Sequence, residues 1–217
     1  MRSSVTTLLT TALLGLPLAS QALDGITDPR GDFLATFAGS SASADLDVIA
    51  ATVLYNPSLD TFFLKATLDG NVGSTATGVY VWGVNRGAGT AGFAANLGLD
   101  GVRFDRVVLV RPDGTASIGA VNLAPGSVVI SGNTITARVS GSLLPSTGFA
   151  NKLDYTWNLW PRDLAFAATG VGAISDFAPN NANFTSTITA VPEPASAALL
   201  LGGLAAVGAL ARRRRPR

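Results

Sequence analysis

The chain of 217 residues has no cysteine and no histidine, and its one glutamate is Glu193. Without cysteine there is no disulfide framework, no thiolate nucleophile and no thiolate zinc site. Without histidine there is no Ser-His-Asp triad and no imidazole metal ligand. Charge is sparse, with 13% of residues Asp, Glu, Lys or Arg, and it is segregated. Six of the 15 basic residues sit at the extreme ends: Arg2, Arg212, Arg213, Arg214, Arg215 and Arg217. Between residues 23 and 190 nine Lys and Arg face 13 Asp, a net charge of −4. A mildly acidic body without basic runs excludes nucleic acid as a partner, because phosphate binding needs clustered Lys and Arg.

Both ends read as targeting segments. Arg2 gives a positive start, Val5 to Leu18 is mostly apolar, and Ser20-Gln21-Ala22 offers small residues for cleavage after Ala22. This is the layout of a secretory signal peptide over residues 1–22, which signal peptidase would remove. An uncleaved anchor is the alternative, but the run falls short of the roughly 20 residues a span needs. At the other end Val191-Pro192-Glu193-Pro194 precedes 17 uncharged residues, Ala195 to Ala211, and then Arg212 to Arg215. At 1.5 Å per residue the apolar piece reaches about 25 Å, close to the lower limit for crossing a bilayer. The arginines would stay cytoplasmic, leaving the body outside.

This tail resembles the PEP-CTERM sorting signal: motif at 191–194, apolar transmembrane segment at 195–211, basic end at 212–217. The resemblance covers Val191 to Arg217 and implies a Gram-negative envelope. It also implies an exosortase that cuts near Pro192-Glu193-Pro194, acting on an inner-membrane-anchored precursor bound for the cell surface or exterior. Proteins with such tails are associated with exported polysaccharide and biofilm material. A simple uncut anchor is the plainer alternative.

The body, residues 23–190, is dominated by strand signals. Thr61 to Leu68 and Thr134 to Val139 alternate apolar and polar residues with period two, the pattern of a half-buried strand. Further strands are expected at 46–55, 78–84, 102–110, 116–123, 155–160 and 184–189. Arg111-Pro112-Asp113-Gly114 suits a tight turn, so 106–110 and 115–121 should pair as a hairpin. A short helical turn fits Ser142 to Ser146, and Trp160-Pro161-Arg162-Asp163 reads as the close of a strand. Many short strands with turns between them predict an all-β fold, an antiparallel β-sandwich of jelly-roll or Ig-like type, flanked by the signal helix and the transmembrane helix. The glycine-rich stretch Gly87 to Gly92 reads as a loop, since no helix follows it.

Two groups of residues are candidates for a site. Asp24, Asp28, Asp32, Asp45 and Asp47 crowd one irregular stretch. Carboxylates on loops, with no imidazole or thiolate available, suit a hard cation, and a structural Ca²⁺ is the candidate. Ordinary turn-capping and solvated charges are the bland alternative. Asp28-Pro29-Arg30-Gly31-Asp32 with Asp45-Leu46-Asp47 loosely resembles the opening of DOMON-like and related carbohydrate-binding sandwiches, some of which hold Ca²⁺. Trp82, Trp157 and Trp160 form the second group. Trp157 and Trp160 fall on opposite strand faces, so one could be exposed for stacking on a sugar ring, whereas core packing is the alternative. No catalytic residue stands out. The sequence therefore predicts a non-enzymatic matrix or surface protein, with extracellular polysaccharide as its candidate partner. A glycan-binding module, or an enzyme using Asp carboxylates, are the other readings.

Overall fold

The computed structural model describes residues 25–188. The signal segment, Asp24 and the whole sorting tail lie outside the described residues. Among the described residues fourteen strands follow in order: β1 (Ile26–Thr27), β2 (Val48–Asn56), β3 (Thr61–Leu68), β4 (Gly78–Asn85), β5 (Thr90–Ala91), β6 (Arg103–Phe104), β7 (Arg106–Val110), β8 (Ala116–Ile118), β9 (Val121–Asn122), β10 (Val128–Ser131), β11 (Thr134–Ser140), β12 (Thr156–Asp163), β13 (Phe184–Thr185) and β14 (Thr187–Ile188). One sheet runs β1-β2-β3-β11-β10, with β14 beside β2; the other runs β13-β12-β4-β7-β8-β9; β5 and β6 form a separate ribbon. All pairs are antiparallel except β14 with β2. The result is the expected all-β sandwich.

Period two drives the packing. In β3, Phe62, Leu64, Ala66 and Leu68 are buried while Lys65 is exposed, and β11 alternates in register with it, from Thr134 opposite Thr67 to Ser140 opposite Thr61. The inward residues of both sheets make one core, within which Tyr55, Tyr155 and Trp157 pack around the Phe62 ring. The turn before β8 forms as its residues dictate: Gly114 has φ 81°, which a residue without Cβ adopts freely, and Asp113 accepts hydrogen bonds from the N–H and hydroxyl of Thr115.

Four local expectations need correction. The strand foreseen at 102–110 is broken between β6 and β7, and that at 116–123 is broken at Gly119, whose φ is 59°. The strand foreseen at 155–160 runs from Thr156 on to Asp163, so Trp160-Pro161-Arg162-Asp163 does close it, but from within the ladder. Leu159 exchanges both backbone bonds with Ala178 on the side away from β4, so Pro161 turns its missing N–H the same way, where no ladder requires it. The short helical turn sits at Gly141–Leu143 rather than further on. Finally, a helical stretch unforeseen from the sequence, Leu164–Ala173, follows β12, with its geometry broken at Phe166 and Gly170.

Candidate metal centre

The strand pairing brings distant acids to one end of the sandwich. β1 runs antiparallel to β2, Ile26 opposite Ala51, so the chain leaving β1 heads for the start of β2. Asp28 anchors there through its N–H to the Ile49 carbonyl. Asp47 immediately precedes β2, and one of its oxygens accepts the Gly31 N–H at 2.7 Å. From the far side of the chain, Asp176 enters the same end. One of its oxygens accepts the Val48 N–H at 2.9 Å and the other the Phe177 N–H at 2.6 Å.

Asp28, Asp32 and Asp176 each bring a carboxylate oxygen to within 4.8 Å of the other two. Asp47 stands beside them, close enough for its charge to act on Asp28. The cluster is largely sequestered: Asp176 is 0% and Asp47 2% exposed. Oδ2 of Asp28, Oδ1 of Asp32 and Oδ1 of Asp47 are buried without a hydrogen-bond partner. Burial and mutual repulsion push Asp28 up to about 7. Burial, opposed by the Val48 N–H and reinforced by Asp28 and Asp32, pushes Asp176 up to about 8. Burial also raises Asp47, against the opposing Gly31 N–H. The nearby cation, Arg30, is exposed and pairs with Asp69.

Such an arrangement can do one thing well. Oxygens up to 4.8 Å apart suit a cation with Ca²⁺–O distances of about 2.4 Å, since two ligands across such an ion lie about 5 Å apart. Buried carboxylate oxygens without donors are costly unless a proton or a cation satisfies them.

Among the acids singled out in sequence, Asp28 and Asp32 meet and Asp47 stands beside them. Asp45 does not join. Its oxygens accept the N–H and hydroxyl of Thr75 at 2.8 and 2.6 Å, so it caps the loop before β4 instead. Asp176 was not foreseen. It lies in an apolar stretch, Ile174 to Ala178, with no acidic neighbour in sequence to flag it.

The tryptophans are not an exposed platform. Trp82 and Trp157 are both 0% exposed in the sandwich core, and Trp157 donates from its indole to the Ser186 hydroxyl at 2.8 Å. Trp160 does lie on the opposite face, as the spacing requires, but it is 3% exposed. Phe93, Phe104 and Phe177 pack around its ring, because the ribbon and the chain after β12 cover that face. It borders an apolar cavity of about 530 Å³ with Val81, Leu109 and Arg162.

Comparison with known proteins speaks to the tail. The family model of the PEP-CTERM protein-sorting motif matches residues 190–215. The chain thus carries the sorting signal of an exosortase substrate, which implies export and a membrane-associated precursor processed toward the cell surface. No curated protein and no solved structure matches the chain, so the likeness to DOMON-like sandwiches has no support there.

Proposed function

We propose that the body is a non-enzymatic matrix or surface β-sandwich whose fold is closed by one structural Ca²⁺. Signal peptidase and exosortase act on it in transit, and extracellular polysaccharide is its surrounding partner. The observation that carries the Ca²⁺ is the set of three buried, unpartnered carboxylate oxygens on Asp28, Asp32 and Asp47 beside the fully buried Asp176. An ion there ties the N-terminal stretch to the start of β2 and to the 174–178 segment. This cross-link replaces the disulfide that a chain without cysteine lacks. A non-enzymatic role is supported by the way Asp176 is held: it is fully buried between two backbone N–H groups at the base of the cluster. The matrix role is supported by the sorting motif. Calorimetric titration of the purified body with Ca²⁺ tests the site. One ion bound per chain is the expected result, and no heat at millimolar Ca²⁺ rejects it.

A further inference from the structure

We infer that in the membrane-anchored precursor the β2–β3 turn, Asn56 to Asp60, rests against the lipid headgroups, with the aspartate cluster facing away from the bilayer. The inference rests on the reading of residues 195–211 as a membrane span. β14 is parallel to β2, with Thr187 opposite Leu54 and Ile188 opposite Tyr55. The chain therefore leaves the fold pointing past the end of β2, toward this turn. Six residues, 189–194, separate Ile188 from the apolar run that starts at Ala195. Fully extended they span at most about 21 Å, and the headgroup layer takes up part of that. So short a tether holds the exit end of the sandwich against the surface.

That end is built for contact with a bilayer. Leu59 at the turn is 61% exposed and Ile188 is 48% exposed. Pro57, Ser58 and Leu59 are uncharged, and the Asn56 side chain fixes the turn by accepting the Leu59 N–H at 3.0 Å. Asp60 is neutralised by Lys152, whose ammonium reaches its two oxygens at 2.6 and 2.8 Å. The further acids at this end are Asp154, next to Lys152 in the same helical turn, and Asp105, which is paired with Arg86. The aspartate cluster lies at the other end of β2 and β3. Eight residues of β3 place it about 26 Å away, some three screening lengths at physiological salt. The strongly acidic end is therefore kept clear of an anionic leaflet, and the segment bearing the processing motif is confined to the gap between the exit end and the membrane.

The absence of cysteine makes the test direct. Full-length precursor carrying Leu59→Cys or Ser131→Cys is labelled with a fluorophore. It is then reconstituted into vesicles of phosphatidylcholine and phosphatidylglycerol containing headgroup-quencher lipid. Ser131 ends β10 at the cluster end of the same sheet and is exposed. The expected result is several-fold stronger quenching at position 59, and loss of that difference when 20 Gly/Ser residues are inserted after Ala190. Equal quenching, stronger quenching at position 131, or quenching at position 59 only by a second labelled copy overturns the inference. A difference that survives the insertion overturns the tether as its cause. Failure of the protein to float with vesicles overturns instead the anchoring on which the inference rests.

Discussion

At the cluster end of the sandwich, Asp28, Asp47 and Asp176 are held above the usual carboxylate range; at the exit end, Asp60 and Asp105 are held below it. The residue type is the same; burial leads the upward shift at the cluster, Asp60 is 44% exposed, and the partners differ as well. Asp60 is lowered by its hydrogen bond from Lys152, helped by the Tyr55 hydroxyl at 2.8 Å. At Asp105 burial works upward, but hydrogen bonds from Arg86 and from the Thr147 hydroxyl outweigh it. The cluster has no such donors for three of its oxygens, and its members repel one another. Burial without a cation thus marks a place waiting for one, whereas burial with a guanidinium or ammonium marks a finished ion pair.

The contrast can be broken from either side. The largest effect is expected from Arg86→Met. The Arg86 and Asp105 side chains are 10% and 12% exposed, and stranding one buried partner typically costs about 3–5 kcal/mol. Urea unfolding should show this loss, and Ca²⁺ should not repair it. Next comes Ca²⁺ itself. At a hundred times its dissociation constant it should stabilise the body by about 2.7 kcal/mol. That corresponds to a rise of roughly 5–11 °C in melting temperature, reversed by chelator and absent in Asp176→Asn.

The pH dependence follows with its sign. A carboxyl raised in the folded state stabilises the fold while protonated, and that contribution is lost as pH climbs from the unfolded value toward the folded one. Without Ca²⁺ the body should therefore weaken between about pH 4 and pH 8, the window set by Asp28 near 7 and Asp176 near 8. With Ca²⁺ the loss should flatten, because the ion takes the place of the protons. Denaturation midpoints at a series of pH values, with and without Ca²⁺, read this out. The smallest effect is expected from Lys152→Met. Lys152 and Asp60 are 22% and 44% exposed, so solvent screens the pair and the cost should stay at about 1 kcal/mol or less.

Much of this frame was legible in the sequence, because the period-two patterns of Thr61–Leu68 and Thr134–Ser140 reflect a half-buried pleat directly. Covering of the second sheet was harder to read. Val79-Tyr80-Val81-Trp82 is continuously apolar, the mark of a strand buried on both faces, and that signal could have warned that Trp160 would be covered too. The site was half legible. Asp28, Asp32 and Asp47 are close in sequence, and loops keep close residues close. Asp45 and Asp47 could not be told apart, since what separates them is a tertiary partner, Thr75. Asp176 was out of reach because its meeting with Val48, 128 residues away, is a product of sheet closure.

The central claim is that Asp28, Asp32, Asp47 and Asp176 hold one Ca²⁺ while Asp45 and Asp60 do not. Titration calorimetry of the body and of single Asp→Asn variants tests it most directly. The account predicts one ion per chain, at least tenfold weaker binding in each of the four cluster variants, and unchanged binding in Asp60→Asn. Wild-type affinity retained in Asp28→Asn and Asp32→Asn, or binding lost in Asp60→Asn, would contradict it.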